Sequence, residues 1–387
     1  MSFFDDLIHH PRRLFLRRVV FQVHLWLGVL LSLYLVLISL SGALLVYHDT
    51  LTRITLPSGF STYDLAHTAS VPTVMEAAQA AFPGATVTYL HMPYARLPVF
   101  QLQLRDAAKK QFAAVADPQT GRVVLLRRTW VDVVYDFHTE LLLGSSHGVQ
   151  WNGAGAAGLL ILALSGLLLW WRGLKTWWHG LGVSLRHKWR RINYDLHHAI
   201  GLWTLLIVSW WALSGIYFAW YTPFTSAVNA VSPLVGMREP NAEPSPHDDK
   251  PAKLEVILDA AQKASRHGRL TYFFNPSLSQ GEEVIAYMNL RTPEDFGHAD
   301  IVRFDAKTGT IVSLWHYGQN RSAGDWFLWA MQPIHFGTLW GPWVRALWCL
   351  FGILLAVLTI SGLLMYWNRY LRFRWRYMAT LRTKLPS

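Results

Sequence analysis

Long apolar stretches alternate with long polar ones along this chain, and the alternation comes round twice. Val19 to Tyr47, Ala154 to Trp171, Ile200 to Trp220 and Ala346 to Trp367 each approach or exceed the ~20 residues that cross a hydrocarbon core of about 30 Å. The first is too long for a cleaved signal peptide and lacks a small-residue cleavage site. Between the stretches the period shortens. Pro72 to Phe82 has helical spacing with Pro-Gly as a stop, "VFQLQL" alternates as a strand, and "ADPQTGRVV" makes a turn between strands. Leu254 to Ala264, "EEVIAYMNL" and "IVRFDAKTGTIV" repeat that order, after a Pro-rich, charged linker, "EPNAEPSPHDDKPAK".

The pattern therefore predicts a membrane protein, mainly α: a bundle of four transmembrane helices built from two repeats, with an α+β domain inserted in each. The expected segments are a terminal 1–18, spans at 19–47, 154–171, 196–220 and 346–367, and outer domains at 49–130 and 222–325. Segments 131–153 and 326–345 lead back to the membrane, 172–195 is a short basic loop, and 368–387 is a basic tail.

Composition supports this class, because the 387 residues are 52% hydrophobic and only 15% charged, too apolar for an ordinary soluble chain. Basic residues then set the orientation. Arg12, Arg13, Arg17 and Arg18 precede the first span; Arg172, Lys175, Arg186, Lys188, Arg190 and Arg191 fill the short loop; Arg369, Arg372, Arg374, Arg376, Arg382 and Lys384 fill the tail. Both termini and that loop are expected in the cytoplasm, with the acidic outer domains on the opposite side of a bacterial inner membrane. These clusters carry much of the net charge of +11, so no nucleic-acid partner is expected. The single Cys349 lies inside the last span and excludes a disulfide framework.

Placing residues 19–172 over 192–368 sharpens the repeat. His24 is followed 17 residues later by Ser41-Gly42, and His197 is followed 17 residues later by Ser214-Gly215. "DPQTGRVV" matches "DAKTGTIV", and "DFHTELL" at 136–142 resembles "QPIHFGTL" at 332–339. His138 precedes Ser165-Gly166 by 27 residues and His335 precedes Ser361-Gly362 by 26.

The "D-x-x-T-G-x-V" turns with their helix and strands resemble PepSY domains. The spans with "HLWLG", "FHTELLLG", "DLHHAIGLW" and "IHFGTLWG" resemble the PepSY-associated transmembrane family over nearly the whole chain. That family includes inner-membrane ferric-siderophore reductases carrying b-type haem, ferrioxamine reduction being one example. The resemblance implies haem b, two copies per chain, a ferric siderophore as substrate, and a cytosolic or quinol electron donor.

The residues carry their own reading. His24 and His197 each lie six residues beyond a basic collar, at Arg18 and Arg191, so both sit about 9 Å along their helices and share one depth. An ionisable side chain inside a span is costly and marks function by default. Gly28 and Gly201, four residues on, leave a notch on the same face, into which a flat macrocycle could fit. Alternatively they permit close helix contact. Zinc or copper needs three or four convergent ligands, whereas haem needs one or two and an apolar slot. His24 and His197 are therefore the expected ligands of an inner haem.

For His138 and His335, spacing alone leaves loop histidines and ligands evenly matched; the resemblance implies that they hold an outer haem. Gly144, Gly148, Gly337, Gly341 and Pro342 are expected to break these approaches. His48, His147 and His198 are reserve ligands, and Arg345 either pairs with a haem carboxylate or anchors the interface. Trp315, His316, Tyr317, Trp326 and Trp329 form an aromatic approach that either docks an iron chelate or rests on the membrane. "GAGAAG" at 153–158 opens a span rather than a βαβ unit and reads as helix packing, not a dinucleotide site. Electron transfer to a ferric siderophore is the expected function. The alternatives are a siderophore or haem permease, for which the spans offer few polar groups, and a colourless membrane regulator whose outer domains bind a protein.

Overall fold

The structure, a computed structural model, describes residues 15–62, 64–171, 177–235, 252–279, 283–291, 297–319 and 322–372. Arg12, Arg13, Arg172, Lys175, Arg374, Arg376, Arg382, Lys384 and most of the Pro-rich linker lie outside the described residues.

Among the described residues three helices are long and apolar enough to cross a membrane: α1 (Phe15–Leu45), a later helix at Gly148–Trp170, and one at Pro342–Tyr366 that runs on through a π turn, Trp367–Leu371. Short α2 (His48–Thr55) follows α1, and α3 (Val71–Ala81) opens the first polar region. Strands β1 (Thr86–His91), β2 (Phe100–Arg105), β3 (Gln111–Ala116) and β4 (Val123–Leu125) come next, then α4 (Trp130–Glu140) and the apolar helix, α5. The second half supplies α6 (Trp189–Trp203), α7 (Leu205–Ala219), α8 (Tyr221–Val231) and α9 (Leu254–Ala264). It continues through β5 (Arg269–Phe274), β6 (Val284–Asn289), β7 (Ala299–Phe304), β8 (Ile311–Trp315), α10 (Ala323–Phe336) and the last apolar helix, α11.

The third apolar stretch departs from expectation, because α6 and α7 meet at a bend of 63° instead of forming one straight span. Two local causes act there. The Thr204 hydroxyl donates to Ile200 O at 2.8 Å, a back-bond that competes within the helix ladder and favours bending. In addition, α6 carries Arg190, Arg191, Asn193 and Asp195 in its first half, whereas α7 carries no charged residue. Counted as one bent span, the pair brings the total to four.

In the bundle α1 packs along α11 and α5, α5 packs on α7, and α11 packs on α6. The small-residue reading of 153–158 is visible in these contacts. A Cβ added at Gly153 would lie 2.3 Å from Ala219, at Gly155 2.3 Å from Tyr34, and at Gly158 2.5 Å from Leu31. Leu30, Leu33 and Leu206 remain exposed on the outside of the bundle, where water would leave a large apolar surface unsatisfied and lipid would not.

The two polar regions, expected as separate domains, form one antiparallel sheet in the order β4-β3-β2-β1-β5-β6-β7-β8. The halves meet where Tyr89, Leu90 and His91 pair with Phe274, Phe273 and Tyr272. Helices α3 and α9 cover one face, and Val74 and Ala78 share a single core with Ile257, Ala261, Leu90, Phe100 and Phe273. A fold class of mainly helix is thus corrected to a helical bundle carrying a sizeable sheet. The reason is edge chemistry, since β1 and β5 would each expose an unpaired ladder without the other.

Equivalent turns close each half of the sheet. Asp117 Oδ1 accepts from the backbone N–H groups of Gln119 and Thr120, as Asp305 Oδ1 does from Lys307 and Thr308. Glycines at φ 72° (Gly121) and 71° (Gly309) complete both turns. Helices α4 and α10 then lead back to the bundle. Both begin with capping boxes, Thr129 with Asp132 and Ser322 with Asp325. The second approach breaks at Gly337, as its glycine suggests, but the first already breaks at Leu141 and Leu142, at φ 54° and 60°.

Candidate functional site

Two pairs of histidines face each other inside this bundle. His24 on α1 lies with its ring centre 6.4 Å from that of His197 on α6, and the planes are inclined at 87°. His138 on α4 lies 6.4 Å from His335 on α10, with planes at 60°. Each pair takes one imidazole from each half of the chain. Because 17 residues of α1 separate His24 from Ser41, against which His138 rests, the two pairs stand about 25 Å apart along the bundle.

All four imidazoles are oriented in one way. His24 Nδ1 contacts Ser165 Oγ at 2.8 Å, His197 Nδ1 contacts Ser361 Oγ at 3.0 Å, His138 Nδ1 contacts Ser41 Oγ at 3.0 Å, and His335 Nδ1 contacts Ser214 Oγ at 2.6 Å. Proton accounting relates the tautomer to the serine hydroxyls. Each serine has one hydroxyl proton, and each hydroxyl lies within hydrogen-bonding reach of a backbone carbonyl in its own helix, from 2.7 Å at Ser361 to 3.1 Å at Ser165. With that proton given to the carbonyl, the serine oxygen can only accept, so Nδ1 is the donor. For His197 and His138 the assignment is independent of serine, because Nδ1 also reaches Leu358 O at 3.0 Å and Ile38 O at 3.1 Å, which cannot donate. Nδ1–H at His197 and His138 leaves the Nε2 lone pair available to a ligand, and the same holds at His24 and His335 when the serine proton goes to its own helix.

Glycines make room for the rings. A Cβ would lie 2.8 Å from His138 Cε1 at Gly42, 3.1 Å from His197 Cε1 at Gly362, and 3.3 Å from His24 Cε1 at Gly166. These Ser-Gly pairs were visible in the sequence as a repeated interval; their role as the imidazole seats was not. Gly28 and Gly201 behave differently. A Cβ there would meet only Leu162 at 3.7 Å and Leu358 at 3.6 Å, ordinary contact distances, so neither glycine serves close helix packing. Both line a cavity of about 960 Å³ that also contains His24, His197 and His198.

A haem fits this donor set. Among the described residues no group of three or more His, Cys, Asp or Glu side chains could hold a metal ion, so paired imidazoles suit a metal that brings its remaining ligands with it. A histidine nitrogen lies about 2 Å from a transition metal and about 1 Å from its own ring centre, so two imidazoles holding one metal between them would have centres roughly 6 Å apart. Both pairs have that separation. The cavity at the first pair has apolar walls, with Leu159, Leu162 and Val208 among them. At the second pair His335 is flanked by Phe218 at 5.2 Å and Phe336 at 5.6 Å. Among the described residues, Trp210 Nε1 is a buried side-chain donor without a partner, one turn before the Ser214 that seats His335.

The remaining candidates lie elsewhere. His198 donates Nδ1–H to Tyr194 O at 2.9 Å and lines the cavity beside His197. His48 rests on Tyr135 and beside Asp49, and His147 is an exposed residue at the start of α5. Arg345 donates from Nε to Val46 O at 2.9 Å and lies over Tyr47, beside the end of α1. It also faces Asp49, whose carboxyl burial would push up but which His48, Arg345, Tyr94 and Arg96 together hold below its usual value. Of the aromatic approach, Tyr317, Trp326 and Trp329 cluster with centres 5.4–6.3 Å apart, and Trp329 Nε1 donates to Gly297 O.

The family described as the PepSY-associated TM region matches this chain over residues 21–369. No curated protein matches it.

Proposed function

The chain belongs to the PepSY-associated transmembrane family, a multi-pass membrane family, and on that premise we propose that it is a haem-bearing oxidoreductase that reduces a ferric siderophore. The observation that carries the reading is the doubled imidazole pair, each ring seated on a serine and each pair close enough to share one metal, at two levels of one bundle. His24 with His197, and His138 with His335, are the residues that would hold two b-type haems. Haem iron so held supplies one-electron transfer, and this is why the site needs no protein nucleophile.

The protein's own part is positional. Serine and backbone carbonyls hold Nδ1–H and aim Nε2. Gly42, Gly166 and Gly362 let the rings dock against the helices, and the apolar bundle keeps water from the space between the two levels. Four spans in a two-repeat layout, with α6 and α7 as one bent span, support two such levels; the symmetric strand order and the matched Asp117 and Asp305 turns favour that layout. The sheet faces the periplasm of a bacterial inner membrane in this reading, and the basic ends face a cytosolic or quinol donor. The substrate is an Fe(III) chelate of hard oxygen donors, released as Fe(II) on the sheet side.

An optical spectrum and a haem count on the purified full-length chain test the proposal. A Soret band with two haems per chain, followed by reoxidation of the reduced protein on adding a ferric hydroxamate, is the expected result. A colourless protein from haem-replete cells overturns it, and a pigmented protein that no ferric chelate reoxidises removes the siderophore from it.

A further inference from the structure

The cavity at His24 and His197 has a charged rim that the imidazoles do not explain. Among the described residues the charged side chains lining it are Arg17, Arg18, Arg190 and Arg369, and no carboxylate is among them. Arg17 is already engaged, donating to the carbonyls of Leu168 and Trp171 at the end of α5. The other three come from different helical segments, α1, the first turn of α6 and the π turn after α11, and all three are exposed. Arg369 lies over Phe21 at 5.1 Å, which holds its guanidinium at the rim. Arg18 and Arg190 stand six and seven residues before His24 and His197, about 9 and 10 Å along their helices.

We infer that Arg18, Arg190 and Arg369 form an anion-accepting rim that binds the two carboxylates of the cofactor held by His24 and His197. This rests on the haem reading above. Its physical basis is a division of labour within one cavity. The apolar walls would accept a flat ring, His24 and His197 would hold its iron, and the charged ends of such an amphiphilic macrocycle would need partners that Leu and Gly walls do not provide. The guanidinium fork matches a carboxylate in two hydrogen bonds, and three such groups, with no acid among the described residues that line the cavity, favour an anion at the rim. The rim therefore selects porphyrins with free carboxylates and sets which edge of the ring points to the basic end of the bundle.

The general tendency of basic residues to flank spans accounts for arginines near this surface, but it does not require three of them to line one cavity with two imidazoles at its floor. The two explanations differ in what they predict for an esterified ligand. Full-length protein produced under haem limitation is titrated with protohaem and with its dimethyl ester, in which both carboxylates are blocked, and the imidazole-ligated spectrum at the His24 and His197 level is followed in a His138→Ala/His335→Ala background. The ester is expected to bind about tenfold more weakly or worse, and the difference to shrink as salt is raised. In Arg18→Gln/Arg190→Gln/Arg369→Gln protein, protohaem is expected to fall to the affinity of the ester while the ester is unchanged.

Equal affinities for protohaem and ester in the unsubstituted rim overturn the inference and leave the haem reading standing. This comparison needs no arginine variant to fold. If neither porphyrin binds, both fall. The single variants Arg190→Gln and Arg369→Gln separate the contributions, and a loss confined to protohaem at either position supports the rim.

Discussion

The two halves of the chain reach the same imidazole wiring along different backbone paths. In the first half α1 runs unbroken from Phe15 to Leu45, carrying His24 near one end and the Ser41 seat near the other. In the second half the same offices fall to two helices, α6 with His197 and α7 with Ser214, separated by the 63° bend at Thr204. What is common to both halves is the contact of Nδ1 with a serine; what differs is helix continuity. Side-chain geometry that must meet a partner tolerates little displacement, whereas a bend between two seats can be absorbed so long as each seat stays in place.

The comparison makes its largest prediction about ligand removal. Because each pair draws one imidazole from each half, His24→Ala and His197→Ala should abolish the same pigment, leaving the count at one haem per chain, while His138→Ala and His335→Ala should abolish the other. Haem content and the reduced α band measured on the four single variants decide this. Loss of one pigment in His24→Ala and His138→Ala together would show that ligation runs within halves, and the cross-half pairing would be wrong.

The seats come next in size. His197 and His138 keep a backbone carbonyl as a second acceptor for Nδ1–H, at Leu358 and Ile38, whereas His335 relies on Ser214. Ser214→Ala is therefore expected to weaken haem retention at its level roughly 10–100-fold, the usual range for losing an outer-shell partner, and Ser361→Ala by less. Haem dissociation rates into an apoprotein acceptor measure the contrast. Equal effects at the two serines would mean that the carbonyls contribute nothing to ring orientation.

Glycine separates the halves further. At Gly42 an added methyl would lie 2.8 Å from His138 Cε1, but at the matching Gly215 it would lie 2.9 Å from Ala156 Cβ and away from His335. Gly42→Ala should shift or deplete the sheet-end pigment. Gly215→Ala should instead cost helix packing, on the order of 1–3 kcal/mol for overpacking a tight contact, with the spectrum retained. Thermal unfolding followed in parallel with the spectrum distinguishes them.

Much of this was legible along the chain, and the rest was hidden for identifiable reasons. Helical spacing marked Leu254 to Ala264, which is the extent of α9, and the Asp-x-x-Thr-Gly turns announced themselves because their hydrogen bonds are local. The shared depth of His24 and His197 followed from counting residues to the basic collar. The serine seats were visible as an interval but not as contacts, since a serine inside a span packs or bonds its own helix equally well, and the partner helix is set by tertiary structure. The joining of β1 to β5 was hidden for the same reason: strand alternation tells which face is buried, not which edge is covered. The bend at Thr204 falls inside the apolar run without a proline to mark it, and the bond from Arg345 to Val46 O joins residues 299 apart, which no local pattern announces.

The smallest predicted effect concerns the matched turns of the sheet. Asp117 is buried, and beyond the turn bonds it shares with Asp305 its second oxygen accepts from Ser61 N–H at 2.6 Å, whereas the Asp305 turn is exposed. Burial alone would raise the Asp117 carboxyl, but the N–H groups of Thr120, Ser61 and Gln119 outweigh it and bring the pKa down to about 2. A carboxyl whose folded pKa lies below its unfolded value stabilises the fold above the unfolded pKa, near 4, and loses that contribution as pH falls through the folded pKa, near 2. Asp117→Asn should therefore lower stability by about 2 kcal/mol at neutral pH and flatten the acid limb between about pH 4 and pH 2. Asp305→Asn should do markedly less, because water already solvates that turn. Denaturant titrations of the detergent-solubilised protein across this window provide the measurement, and identical acid limbs for the two variants would show that the extra bond to Ser61 carries no weight in the difference between the halves.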